Sequence, residues 1–289
     1  MRRRQFLASL LSVAATPALA QRPQNVGRDV VGQSLEDILE RGWIVFGLYD
    51  DFAPYSWEEN GKPRGVDVEI GRLIAADLGV EPRFLLHGAD ETVDDDLRNM
   101  VWKGHYIGGR VANVMLRAPY NRELAIRNEL VVLQGQYQNE RIAIAYDAAF
   151  YEDEKPVPAY FRFDKVGVEN DSIADFYLSG MGNGAVAPNI RRFRSPGLAM
   201  EAMKAGEVQA VMGAQGQLEW FAKDEDRLAV HAPPLPGLAV GEWTIGIAVR
   251  HNWRALGYAV DDAIRAAVQD GRMERIFADH GLSWIPPEW

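Results

Sequence analysis

The chain has 289 residues, 47% of them hydrophobic and 25% charged, enough for one large domain or two modest ones with a sizeable core. Its formal net charge of -10 opposes binding to nucleic acid or to an anionic membrane surface. It has no cysteine, which excludes disulfides, thiolate metal sites and a lipid-anchored amino terminus. At the start, Arg2-Arg3-Arg4 precedes a short apolar run from Leu7 to Ala15, and Ala18-Leu19-Ala20 forms a small-x-small cleavage site before Gln21. This reads as an export signal over residues 1–20, too short to be a membrane span. The Arg3-Arg4-Gln5-Phe6-Leu7 core is similar to a twin-arginine signal, although an arginine run also serves an ordinary secretory signal. The mature protein is therefore expected free in the periplasm, with residues 21–33 as a polar leader.

Ser34 to Asp37 predicts a helix start, with Ser34 as cap and Asp37 in the capping-box position. Trp43 to Tyr49 is an apolar run expected to be a short buried strand. It is followed by an acidic and aromatic loop, Asp50-Asp51-Phe52-Ala53-Pro54-Tyr55-Ser56-Trp57, placed where a strand end delivers ligand contacts in an α/β sheet. Asn60-Gly61 is a turn signal, and Val66 to Leu78 leads from a short strand at Gly65 to Glu69 into a helix with one apolar face. The run from Gly61 to Val80 resembles the opening of bacterial extracellular solute-binding proteins of the polar amino-acid-binding family, family 3. That resemblance implies an α/β, two-lobed periplasmic-binding-protein fold of type II, with two crossing strands as hinge. Lobe one is then expected over residues 34–140 plus 250–289, and lobe two over 141–249.

Pro82 to His87 reads as a second strand, and Asp94-Asp95-Asp96 as acids at the positive end of a helix, because adjacent helical residues point apart and do not share one metal ion. Trp102 to Arg110 is longer and richer in glycine than the corresponding step in the resembled family. A strand over Val111 to Leu116 leads to Arg117 and Arg122. The resemblance assigns a carboxylate-gripping arginine to this segment, with Arg122 preferred on its Pro119-x-x-Arg122 context and Arg117 second. Ile142 to Tyr146 is similar to the family's crossing strand. Lys165 to Phe176 is similar to its strand, turn and helix, so Ser172 is expected either to meet a ligand carboxylate or to cap its own helix.

Ala205 to Gly213 follows the family's pattern, but Gly213-Ala214-Gln215 stands where amino-acid binders place an aspartate for the ligand ammonium. A cation buried without a carboxylate is costly, so the usual pairing is incomplete; Asp50, Asp51 or Asp67 remain as sources of charge. Trp243 to Arg250 is similar to the returning strand, with helices over Trp253 to Asp270 and Met273 to His280. The ligand-binding set expected is Asp51, Phe52, Tyr55, Trp57, Arg117, Arg122, Ser172, Gly213 and Gln215, capturing a small polar or carboxylate-bearing solute for the membrane permease of an ABC importer. Two other members of this fold define alternatives: an accessory protein of a periplasmic quinoprotein dehydrogenase, and a secreted cyclohexadienyl-type dehydratase. Glu169, Glu242 and His105 are acid-base candidates without supporting spacing, and no nucleophile elbow or phosphate loop occurs. The five histidines have no ligand spacing, so neither a metal nor a cofactor is expected.

Overall fold

A computed structural model describes residues 34–106 and 108–288. The expected export signal and leader lie outside the described residues. The first lobe opens with α1 (Leu35–Arg41), β1 (Trp43–Tyr49), a hairpin of β2 (Trp57–Glu59) and β3 (Lys62–Arg64), α2 (Val66–Leu78) and β4 (Glu81–His87). Then come α3 (Val93–Leu97), continued by a π-helical turn at Arg98–Trp102, β5 (Val114–Pro119) and α4 (Arg122–Arg127). The 17-residue β6 (Val131–Asp147) crosses to the second lobe. There β7 (Val166–Glu169), α5 (Ile173–Gly180), β8 (Ile190–Phe193), α6 (Pro196–Lys204), β9 (Ala210–Ala214), α7 (Gln215–Ala222) and β10 (Leu228–His231) follow. β11 (Glu242–Arg250) returns, and α8 (Arg254–Gln269) and α9 (Arg272–Asp279) close the chain.

The strand order is β4-β1-β5-β11-β6-β9-β7-β8, with β10 also on β6. β6 changes neighbours midway: residues up to Arg141 pair with β11, and those from Ile142 pair with β9. At the crossing, Trp243 lies opposite Glu140 and Ile245 opposite Gln138, so the two connecting segments run side by side. β1 lies parallel between β4 and β5, and its buried Ile44, Phe46 and Leu48 pack with Val66, Ile70 and Ile74 of α2. Burial of apolar faces on both lobes is the main stabilising term. The second lobe has two cores, one around Phe161, Val168 and Leu178 and one around Met200, Met203 and Leu218.

Local signals account for several boundaries. Ser34 and Asp37 form the expected capping box, and α1 stops at Gly42, whose φ of 76° suits glycine. Residues Asp94 to Asp96 sit in the first turn of α3, capped by Thr92, as their charge predicts. Two expectations are corrected. Val66 to Glu69 is helical, because the preceding loop supplies the missing acceptors: Val66 N–H donates to Pro54 O at 3.1 Å and Asp67 N–H to Tyr55 O at 2.9 Å. The strand expected from Val111 begins at Val114; Asn113 instead uses its side-chain oxygen to accept from Val45 N at 2.9 Å.

Candidate functional site

The loop between β1 and β2 folds back on itself, with Phe52 N–H donating to Ser56 O at 2.7 Å and Ser56 Oγ to Tyr49 O at 2.6 Å. This clusters Tyr49, Phe52 and Tyr55, whose neighbouring rings meet edge-on and tilted with centroids 5.8 and 5.6 Å apart. They form one wall of a cavity of about 370 Å³. Arg117, Thr92 and Asp96 of the first lobe, Glu140, Trp243 and Ile245 of the crossing segments and Ala214 of the second lobe complete it.

Arg117 dominates the electrostatics of the wall. Its Nε donates to Asp67 Oδ2 at 2.7 Å, and its Nη2 to Asp67 Oδ1 at 3.2 Å and to Gln138 Oε1 at 3.0 Å. The guanidinium carbon lies 3.2 Å from the centroid of the Tyr55 ring. Tyr137 completes the cluster, accepting from Arg117 N–H at 2.9 Å and donating to Asp67 Oδ1 at 3.1 Å. Burial opposes the Arg117 charge, but Asp67 outweighs it and holds the guanidinium charged. The backbone of Arg117 has φ 58°, a strained conformation for a side-chain-bearing residue, maintained by these contacts.

Glu140, 3% exposed, accepts from the Tyr55 hydroxyl and from Arg141 N–H at 3.0 Å. Burial pushes its carboxyl upward, against the Tyr55 hydrogen bond and the Arg117 charge. The same burial, together with Glu140, drives the Tyr55 hydroxyl well above its ordinary range, so it stays a donor. Asp96 is also raised by burial; it accepts from Tyr49 Oη at 2.8 Å and from Asp90 N–H at 2.8 Å.

The expected residues separate into distinct places. Phe52, Tyr55 and Arg117 line the main cavity. Ser172 and Gly213 line an adjoining cavity of about 120 Å³, where Ser172 Oγ accepts from Asp175 N–H at 3.2 Å and so caps α5. Asp51 is exposed beside the cleft, with φ 52°. Trp57 packs on Trp220 of the second lobe at 5.3 Å between centroids. Gln215 is buried behind the wall, accepting from Arg141 Nε at 2.5 Å and donating to Glu219 at 2.6 Å. Arg122, the preferred arginine, is exposed at the first position of α4. Asp67, one of the candidate sources of charge for a ligand, serves Arg117 instead.

Sequence reasoning missed Glu140, Trp243 and Asp96 as wall residues. The polar run Gln138-Asn139-Glu140-Arg141 immediately before the apolar Ile142 to Tyr146 was the available signal for the first. Among the acid-base candidates, Glu169 lines the small cavity with its carboxyl raised by burial, whereas Glu242 is exposed and His105 lies in the loop after the π-helical turn. No spacing announced a histidine cluster, yet His87, Asp90 and Asp96 bring ligand atoms within 4.8 Å of one another. His87 Nε2 is bonded to Asp90 Oδ2 at 2.9 Å, which also accepts from Asn99 at 2.7 Å, so the group is an internally satisfied network.

A cavity of this size, walled by aromatics and a few polar groups and shared between two lobes and their crossing strands, is suited to non-covalent capture of a small solute. Residues 44–283 match the family of bacterial extracellular solute-binding proteins, family 3, and the chain belongs to that family. No curated protein sequence matches it. Among solved structures, it is similar to an ancestral cationic amino acid solute-binding protein, with 18% identity and a TM-score of 0.69 over 86% of this chain and 99% of that one. An amino acid ABC transporter substrate-binding protein from Streptococcus pneumoniae, bound to L-arginine, is 20% identical with a TM-score of 0.61, covering 88% of this chain and 100% of that one. A further structure of the ancestral protein, described as a precursor of cyclohexadienyl dehydratase, is 18% identical with a TM-score of 0.59 over 86% and 98% of the two chains. At these identities the likeness is one of fold. Among the described residues, no helix is long and apolar enough to cross a membrane.

Proposed function

We propose that this protein captures a small polar solute of amino-acid size between its lobes, in the periplasm, and delivers it to the permease of an ABC importer without transforming it. The observation that carries the reading is the cavity of about 370 Å³ walled jointly by Tyr49, Phe52 and Arg117, by Glu140 and Trp243 of the crossing segments, and by Ala214. The expected division, 34–140 with 250–289 against 141–249, puts these crossing segments at or beside the boundary between the lobes. Closure of one lobe on the other would therefore change the cavity directly. The resemblance of the amino terminus to an export signal supports the compartment.

Thermal unfolding against a panel of amino acids, organic acids, amines and alcohols tests the proposal, since a ligand bound by the native state alone raises the melting temperature. A shift with one chemical class, accompanied by a change in tryptophan fluorescence that is lost in Trp243→Phe, supports capture. No shift with any compound overturns it.

A second reading is favoured by a different observation. An open groove at the cleft mouth is lined by Tyr120 from the first lobe and by Ile173 and Val240, which are 44%, 39% and 52% exposed. Exposed apolar groups gathered at one mouth suit a protein partner, as in the accessory protein of a periplasmic quinoprotein dehydrogenase. Co-purification of such an enzyme, with no solute response, would favour this reading.

A further inference from the structure

Capture of a solute leaves open what charge the solute carries, and the cavity walls bear on that directly. Five carboxyl groups line the main cavity, Asp50, Asp90, Glu91, Asp96 and Glu140, and the one cationic side chain among its lining residues is Arg117. That guanidinium is already bidentate on Asp67, and its charge also acts on Glu140. A guanidinium already paired bidentately with the Asp67 carboxylate leaves no surplus positive charge for a ligand carboxylate. A carboxylate could approach only Nη1, which makes no hydrogen bond to the described residues, and it would do so among acidic neighbours in a partly dry cavity, where like charges repel strongly.

The second lobe does not correct this balance. Its contributions to the main cavity are Ala214 and, from the crossing strand, Trp243 and Ile245, none of which carries a charge. In the adjoining cavity the Ser172 hydroxyl accepts the α5 cap bond, and Glu169 stands beside it as a further acid. The apolar part of the wall has the complementary character: the ring faces of Tyr49, Phe52 and Trp243 attract cations as well as excluding water.

We infer that the cleft selects an organic cation without a carboxylate, an amine or guanidine on a short apolar stem. The inference rests on the capture reading and names the solute class. The ammonium or guanidinium is held by Asp50 and Glu91 at the mouth and Glu140 at the wall, and the stem lies against the aromatic cluster of Tyr49, Phe52 and Tyr55. The cavity volume fits a molecule of the size of a diamine or an amino acid, so size does not decide between them; charge does.

Matched pairs differing only by a carboxylate give the test. Isothermal titration calorimetry compares agmatine with L-arginine and cadaverine with L-lysine, at low and at moderate salt. The expected result is that at least one amine binds about tenfold or more tightly than its parent amino acid, with affinity falling as salt rises. The exposed pair Asp50→Asn and Glu91→Gln, which touches no buried contact, should weaken the amine by about two- to fivefold per site without changing the circular dichroism spectrum. Glu140→Gln should weaken it further. An amino acid binding as tightly as its amine, or an organic acid binding in place of both, overturns the inference while capture stands. No binding by any amine, amino acid or organic acid overturns capture itself and this inference with it.

Discussion

Each lobe ties its first long helix to a strand through a carboxylate and a guanidinium, and the two pairs differ in their access to water. In the first lobe, Asp67 of α2 and Arg117 of β5 meet at 2.7 Å with side chains 1% and 6% exposed. In the second, Asp175 of α5 and Arg192 of β8 meet at 2.8 Å, with Asp175 at 6% but Arg192 at 42%. The buried pair is enclosed by Tyr55, Tyr137 and Gln138, so neither charge has water to return to if the other is lost. The half-exposed pair keeps that alternative. An ion pair at the cleft wall therefore acts as a rigid, self-compensated strut, while its counterpart acts as a screened surface tie.

The largest expected effect comes from breaking the strut. Arg117→Ala leaves Asp67 charged and buried, and should lower stability by about 3–5 kcal/mol, read as a fall in the urea midpoint. Replacing both partners, Arg117→Met with Asp67→Leu, should recover most of that loss, because an apolar pair needs no mutual charge compensation. A single-mutant loss below about 1 kcal/mol would place the pair in the same solvated class as its counterpart.

Gly65→Ala tests the junction that positions Asp67. A β-carbon at Gly65, where φ is 119°, would lie 2.2 Å from Tyr55 O, so the change should destabilise by about 1–3 kcal/mol or more and shift the near-ultraviolet dichroism of the aromatic loop.

For the second-lobe pair, Asp175→Asn should lower stability at neutral pH by about 1 kcal/mol, reduced by solvent around Arg192. Burial raises the Asp175 carboxyl, but hydrogen bonds from Arg192 and Ser179 prevail and hold it below its ordinary value. Its contribution is then fully present above the ordinary carboxylate range and is lost as pH falls through the lowered native value. The difference in urea midpoint between wild type and Asp175→Asn should accordingly disappear in strong acid. A difference that persisted there would assign the effect to packing.

The smallest change is expected from Arg122→Ala. This exposed residue at the start of α4 should alter stability by about 0.5 kcal/mol or less and leave solute affinity unchanged, as titration of any solute found by the panel would show. A large loss of affinity would show that the solute carries an anion held at the start of α4.

Much of the architecture was legible because its signals are local. The apolar Trp43 to Tyr49 run, the Ser34 capping box, the Asn60-Gly61 turn and the acids before Leu97 each act within a few residues, and each appears where expected. The helical state of Val66 to Glu69 was not legible, since its amino-terminal N–H groups are satisfied by carbonyls of Pro54 and Tyr55 that only the folded loop brings near. Phe52 and Tyr55, singled out by strand-end placement, line the cavity, as does Arg117, which the resemblance ranks behind Arg122. The roles of Trp57 and Gln215 did not, because their partners, Trp220 and Arg141, lie 163 and 74 positions away in the chain.

The sequence by itself determined most of the order of strands and helices and the absence of an acid at Ala214, which follow from residue type and spacing along the chain, while the two-lobed fold was an implication of the resemblance to family 3. Tertiary structure alone decided that Asp67 neutralises Arg117, that Glu140 faces the cavity, and that Asp90 joins it from the loop after β4 and Asp96 from α3. Charge balance in a cleft is a sum over groups far apart in sequence, weighted by distance and burial, and neither weight exists until the chain has folded.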